Sequence, residues 1–80
     1  MDNAAFGKRL KYAMHIRRMG GNKLSAASGV SKKMIYRYRK GEAEPSLRSA
    51  YNPALSLRVS LDSLTGLKDA IRKEKENEQD

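Results

Sequence analysis

Eighty residues carry 17 Lys and Arg against 9 Asp and Glu, a formal net charge of +8 and a pI near 10.1. That length allows one small domain with one modest core and leaves no room for a separate catalytic or ligand-binding domain. There is no cysteine, no apolar run approaching the roughly 20 residues of a membrane span and no signal peptide, which excludes a disulfide scaffold and predicts a soluble, cytoplasmic protein.

In chain order, Asp2 or Asn3 can cap a first helix. Phe6, Leu10, Ala13 and Met14 recur at i, i+4, i+7 and i+8 and form one apolar stripe. Lys8, Arg9, Lys11, Arg17 and Arg18 fall off that stripe; some are expected to point at the backbone of a polyanion, and most read as solvated. His15 is the sole histidine and reads as a surface residue, because no partner cluster accompanies it. Met19-Gly20-Gly21 is expected to break this helix.

Residues 22–41, NKLSAASGVSKKMIYRYRKG, read as two short helices joined by a tight turn. Asn22 is the expected N-cap of the first, with Leu24 and Ala27 on its apolar side. Gly29 can take the left-handed conformation that ends a helix, and Val30 can plug the corner. Ser31 is the expected cap of a second helix from Lys32 to about Lys40, with Gly41 past its end. At about 100° per residue, Lys32, Lys33, Tyr36, Arg37 and Lys40 share one arc of roughly 140°. Met34, Ile35 and Tyr38 lie opposite. A charged helix alone is often only a solvated face, but here turn, cap and neighbouring segments agree on one motif.

Glu42-Ala43-Glu44-Pro45 reads as a polar loop that Pro45 keeps non-helical. Ser46 can cap a fourth helix from Leu47. Pro53 is expected to interrupt it at 51–53, since a mid-helix proline costs about 3 kcal/mol, with Ala54, Leu55 and Leu57 facing the core. Ser60 can cap a fifth helix whose stripe, Leu61, Leu64, Leu67, Ala70 and Ile71, continues past Thr65-Gly66 and could bury against a second copy. A rival reading comes from residues 55–62, LSLRVSLD, which alternate apolar and polar like a half-buried strand. The domain is placed at residues 1–71. Residues 72–80, RKEKENEQD, hold no apolar side chain and are expected to be disordered or a linker.

The charge is unevenly spread. Residues 1–49 hold 12 Lys and Arg against 3 acids, and between Asp2 and Glu42 there is no acid at all. Residues 50–80 hold 5 against 6. The N-terminal part therefore fits a polyanion. A membrane surface is anionic too, but a membrane helix needs a free bulky apolar face, and these faces look committed to a core. No nucleophile sits beside a base, no acid or histidine cluster has metal spacing, and Gly20-Gly21 lacks the phosphate-loop pattern. No enzyme activity, cofactor, metal or small-molecule ligand is expected.

GVSKKMIYRYRKGEAEPSL followed by VSLDSLTG resembles the Cro/CI (XRE-type) helix-turn-helix family of phage and bacterial repressors, over residues 6–66. The spacing from Pro45 to Val59 fits that family without a gap. The resemblance implies an all-α, five-helix, lambda-repressor-like DNA-binding domain, the α+β alternative being a Cro-like fold with a strand near 55–62. It implies double-stranded DNA as partner, with Lys32, Lys33, Tyr36 and Arg37 at base edges and Asn22, Lys23, Ser31 and Lys40 at phosphates. It further implies a palindromic operator, a weak homodimer strengthened on DNA and the cytoplasm of a bacterial host. Three departures stand out. A Thr-Gln-like pair is replaced by Gly20-Gly21, an Arg–Glu pair by Met14 and Arg39, and the glycine before VSLD by Arg58. An antitoxin-like partner-binding protein and a nonspecific nucleic-acid binder are the alternative functions.

Overall fold

The computed structural model describes residues 2–66, which form five helices: α1 (Asn3–Ile16), α2 (Gly21–Ser28), α3 (Lys32–Arg39), α4 (Leu47–Leu57) and α5 (Leu61–Thr65). Four of them start at a side chain that accepts a backbone N–H. Asp2 accepts from Ala5 at 3.1 Å, Ser31 from Met34 at 3.2 Å, Ser46 from Ser49 at 3.1 Å and Ser60 from Ser63 at 3.0 Å. Each such cap stabilises its helix by about 1 kcal/mol. α2 is the exception. Its N-cap is Gly20, with no side-chain bond, and Asn22 lies inside the first turn rather than capping it. The loss of a capping side chain at 20–21 leaves the helix to start on backbone alone.

The core collects one face of each helix. Phe6, Leu10, Ala13 and Met14 of α1 meet Leu24 of α2, Ile35 and Tyr38 of α3, Ala50, Ala54 and Leu57 of α4, and Leu64 of α5. Phe6 and Tyr38 pack edge to face with ring centroids 6.1 Å apart. α1 lies against α3 and α5, while α4 closes the other side against α2 and α5. The α1–α3 crossing depends on Gly7. A Cβ there would stand 2.8 Å from the Arg39 carbonyl oxygen and would strike the Tyr38 carbonyl oxygen.

The structure is all-α, with no strand among the described residues. The alternating run at 55–62 is instead the end of α4, a turn and the start of α5. Arg58 makes that turn with φ 57°, a left-handed conformation that strains a non-glycine residue. Pro53 does not break α4, contrary to the sequence rule. It sits fully buried inside an unbroken helix, on the same stripe as Ala50, Ala54 and Leu57. The Ser46 cap and the burial of the ring offset the lost bond to the Ser49 carbonyl. This continuous helix also fixes the phase, so Leu55 points outward, 59% exposed, rather than into the core. With Leu47 and Tyr51 it forms an exposed apolar stripe at every fourth residue of α4.

Three smaller corrections follow the same logic. Ala27 is exposed and Ser28 takes the buried place at the end of α2. α1 ends before Met19, at Ile16, and Arg18 turns the chain with φ 53°. α5 stops at Thr65, with Gly66 in the left-handed conformation at φ 72° as its C-cap. Leu67, Ala70 and Ile71, the boundary at 71 and the segment 72–80 lie outside the described residues.

Arg17 does what no local pattern announced. Its Nε donates to the Leu57 carbonyl at 2.9 Å and its Nη2 to the Arg58 carbonyl at 3.3 Å. A cation thus satisfies the free carbonyls at the C-terminal end of α4 and ties that end to the end of α1. Among the described residues, no helix is long and apolar enough to cross a membrane.

Candidate nucleic-acid interface

The turn between α2 and α3 is built from four consecutive residues with separate tasks. Ser28 is buried, and its hydroxyl oxygen accepts from the Val30 N–H at 3.2 Å. Gly29 takes φ 76° and its N–H closes the helix on the Ser25 carbonyl at 2.9 Å. Val30 is buried in the corner between the two helices. Ser31 caps α3, so its hydroxyl oxygen is engaged with the Met34 N–H while the residue itself stays exposed.

α3 is anchored by Ile35 and Tyr38, both buried, with Met34 partly so. The anchoring leaves Lys32, Lys33, Tyr36 and Lys40 exposed as one surface. Arg37 is half-buried at the edge of that surface, its Nη1 4.0 Å from the Met34 sulfur. Lys40 Nζ sits 4.5 Å from the centroid of the Tyr36 ring, a cation–π contact. None of Lys32, Lys33, Arg37 and Lys40 forms an ion pair with another described residue, because α1 to α3 contain no acid to offer.

The structure also brings the first turn of α2 to the first turn of α3. A Cβ built on Gly21 would lie 3.8 Å from Lys32 Cγ. Asn22 and Lys23, both exposed, follow directly. Ser31, Lys32, Asn22 and Lys23 therefore cluster at one end of the surface. Lys40 lies about 12 Å farther along the α3 axis, at 1.5 Å per residue. Lys40 is the C-cap residue of α3 and not part of the helix proper.

Sequence reasoning placed Lys11 and Arg18 in a basic set off the α1 stripe, some of it aimed at a polyanion backbone, and read His15 as a surface residue and Arg39 as half of a missing pair. The structure brings all four to one cleft beside Gly20. Met14 is buried there, so the absence of the acid at 39 strands no buried charge. No signal in a single sequence pairs α1 with the end of α3 at this point.

What the arrangement can do is electrostatic and geometric. A rigid helix presents cations and a phenol on one side, preceded by a second helix whose first-turn N–H groups lack a capping side chain. Such a face fits the width of a duplex major groove and the phosphates beside it.

The sequence matches no protein-family model and no curated protein sequence. The fold is similar to that of the restriction-modification controller protein C.AhdI from Aeromonas hydrophila, known from a high-resolution crystal structure. The TM-score is 0.75 with 22% identity, over 79% of this chain and 96% of that one. At that identity the likeness establishes the fold and nothing beyond it.

Proposed function

We propose that the protein is a sequence-specific regulator of transcription that binds double-stranded DNA through α3 in the major groove. The observation that carries this is the exposed arc of Lys32, Lys33, Tyr36 and Lys40 with Arg37 at its edge, unpaired by any acid among the described residues and set on a helix-turn-helix frame. The protein that shares the fold is a restriction-modification controller protein, which supports the same class.

Lys32, Lys33 and Arg37 reach base edges, where Lys and Arg suit guanine O6 and N7. Tyr36 divides its contact between base and phosphate. Ser31, Asn22, Lys23 and Lys40 meet phosphates and set the register of the helix on the duplex. Occupation of promoter DNA then represses transcription sterically, as in the phage and prophage repressors of Cro or CI type that the sequence resembles.

One such domain covers about 4–5 base pairs, so useful specificity calls for two copies on a palindrome about one helical turn apart. The exposed Leu47, Tyr51 and Leu55 stripe supports weak self-association that a duplex strengthens. The reading places the protein in the cytoplasm of a bacterial host and needs neither cofactor nor small ligand.

Selection from random duplexes, followed by fluorescence-anisotropy titration of the selected site against a scrambled one at two salt concentrations, tests this. A two-fold symmetric site bound at least about 1,000-fold tighter than scrambled DNA is the expected result. Two duplexes of equal affinity that weaken together with salt would leave a nonspecific nucleic-acid binder instead.

A further inference from the structure

The α3 arc does not exhaust the basic surface. Lys11, His15, Arg18 and Arg39 line a cleft of about 500 Å³ between α1, the α1–α2 turn and the last turn of α3. Met14 and Met19, buried and partly buried, contribute its apolar lining. Gly20 opens onto it with nothing within 4 Å of where a Cβ would stand. None of the four polar side chains has a hydrogen bond or ion pair with a described residue, and there is no acid between Asp2 and Glu42 to neutralise them. Three full charges and an imidazole N–H donor thus converge on a concave site with no counterion from the described chain.

Two features aim the site. Arg18 is held in a left-handed backbone conformation, φ 53°, that non-glycine residues avoid. The turn that fixes it is closed by Arg18 N–H to the His15 carbonyl at 3.1 Å and by Met19 N–H to the Met14 carbonyl at 2.9 Å. On α3, Arg39 falls about 20° from Lys32 in projection, two turns along, so it borders the exposed arc on the side facing α1. The cleft therefore continues the basic surface from α3 over the start of α2 onto α1.

We propose that this cleft is a phosphate-binding site that seats a backbone phosphate of the duplex bound by α3. It rests on the DNA-binding function proposed above and extends it. With α3 in a groove about 12 Å wide, a phosphate strand must pass on either side of the helix. The cleft lies on the α1 side, where such a strand would run. A phosphate oxygen accepts from the guanidinium groups of Arg39 and Arg18 and the ammonium of Lys11, while the neighbouring Gly20 leaves room for the strand to approach.

The test uses the full chain and the double variant Lys11→Gln/Arg39→Gln, with Arg48→Gln, on α4 outside the cleft, as a charge control. Thermal melting first establishes that each variant is folded. In anisotropy titrations the double variant should weaken selected and scrambled duplexes by the same factor, and the slope of log affinity against log salt should fall by about 1, the loss of one seated phosphate. A slope change no larger than that of Arg48→Gln overturns the proposal. A second arm reads the cleft without DNA. Pyrophosphate titrated into labelled protein should shift the Gly20 amide and the Arg39 side-chain resonances saturably, and the double variant should abolish this. Should the wild-type chain bind no duplex at all, the proposed function fails on its own. Saturable pyrophosphate shifts would then retain the phosphate site with a soluble phosphate as its source, and their absence would overturn it.

Discussion

Lys40 Nζ lies 4.5 Å from the centre of the Tyr36 ring, so the cation at the end of α3 covers the face of the phenol one turn earlier. The pair acts as one unit on the exposed surface, with the ring edge and hydroxyl left to meet a partner. The ammonium sits at the C-terminal end of the exposed surface, on the residue that follows the last turn of α3. Arg37, by contrast, is steadied from below by Met34.

That division separates two variants. Arg37→Ala should cost about 1–3 kcal/mol on the selected duplex and relax preference at one base position. Lys40→Ala should weaken selected and scrambled duplexes alike and reduce the salt slope by about 1. Anisotropy titration of both variants on both duplexes checks this. Equal losses on the two duplexes for both variants would refute the assignment of Arg37 to a base.

Arg17 is basic but spoken for. Its two bonds to the Leu57 and Arg58 carbonyls hold the ends of α1 and α4 together. Arg17→Ala should lower unfolding free energy by about 1–2 kcal/mol, since charge-assisted bonds are worth more than neutral ones even when partly exposed. Urea denaturation reads the loss. Discrimination between selected and scrambled DNA should not change.

Gly7→Ala should destabilise the fold despite the better helix propensity of alanine. The gain of up to about 1 kcal/mol is outweighed by a methyl group driven into the Tyr38 and Arg39 carbonyls, an overpacking cost of about 1–3 kcal/mol or more. A Tyr38 shifted by that contact should also alter the Phe6–Tyr38 packing, visible in near-ultraviolet circular dichroism.

Arg58→Gly is the expected stabiliser. Arg58 occupies the left-handed region at φ 57°, where glycine is relaxed. Relief of that strain, less the greater chain entropy of glycine, should raise stability by about 0.5–1 kcal/mol and the melting temperature by several degrees. An unchanged or lower melting temperature would mean that the Arg58 side chain contributes more than its backbone costs.

What could be read from the sequence was local. Ser31, Ser46 and Ser60 announced three helix starts, and Gly29 announced the turn, because each acts within four residues of itself. The apolar stripe of α1 was equally plain. The failures came where distant packing overrode a local rule. Pro53 looked like a break until its ring proved to be core, and Leu55 was misplaced because its phase depends on a helix that begins eight residues earlier. Asn22 lost its capping role to a glycine two residues upstream. For the candidate interface, the members of the arc on α3 were legible from their spacing. Arg17 and the cleft at Arg39 were not, since each joins residues more than 20 positions apart.

The way α3 is held bears on how its preferences could change. Its attachments are Ile35 and Tyr38 beneath it and the close crossing at Gly7, none of which belongs to the exposed arc. The four outward positions, Lys32, Lys33, Tyr36 and Lys40, are exposed and are not members of the buried core. The outward face can therefore be rewritten without reworking what seats it. A lineage or a designer could graft a new set of side chains onto the same mount, and stability would place little restraint on the choice.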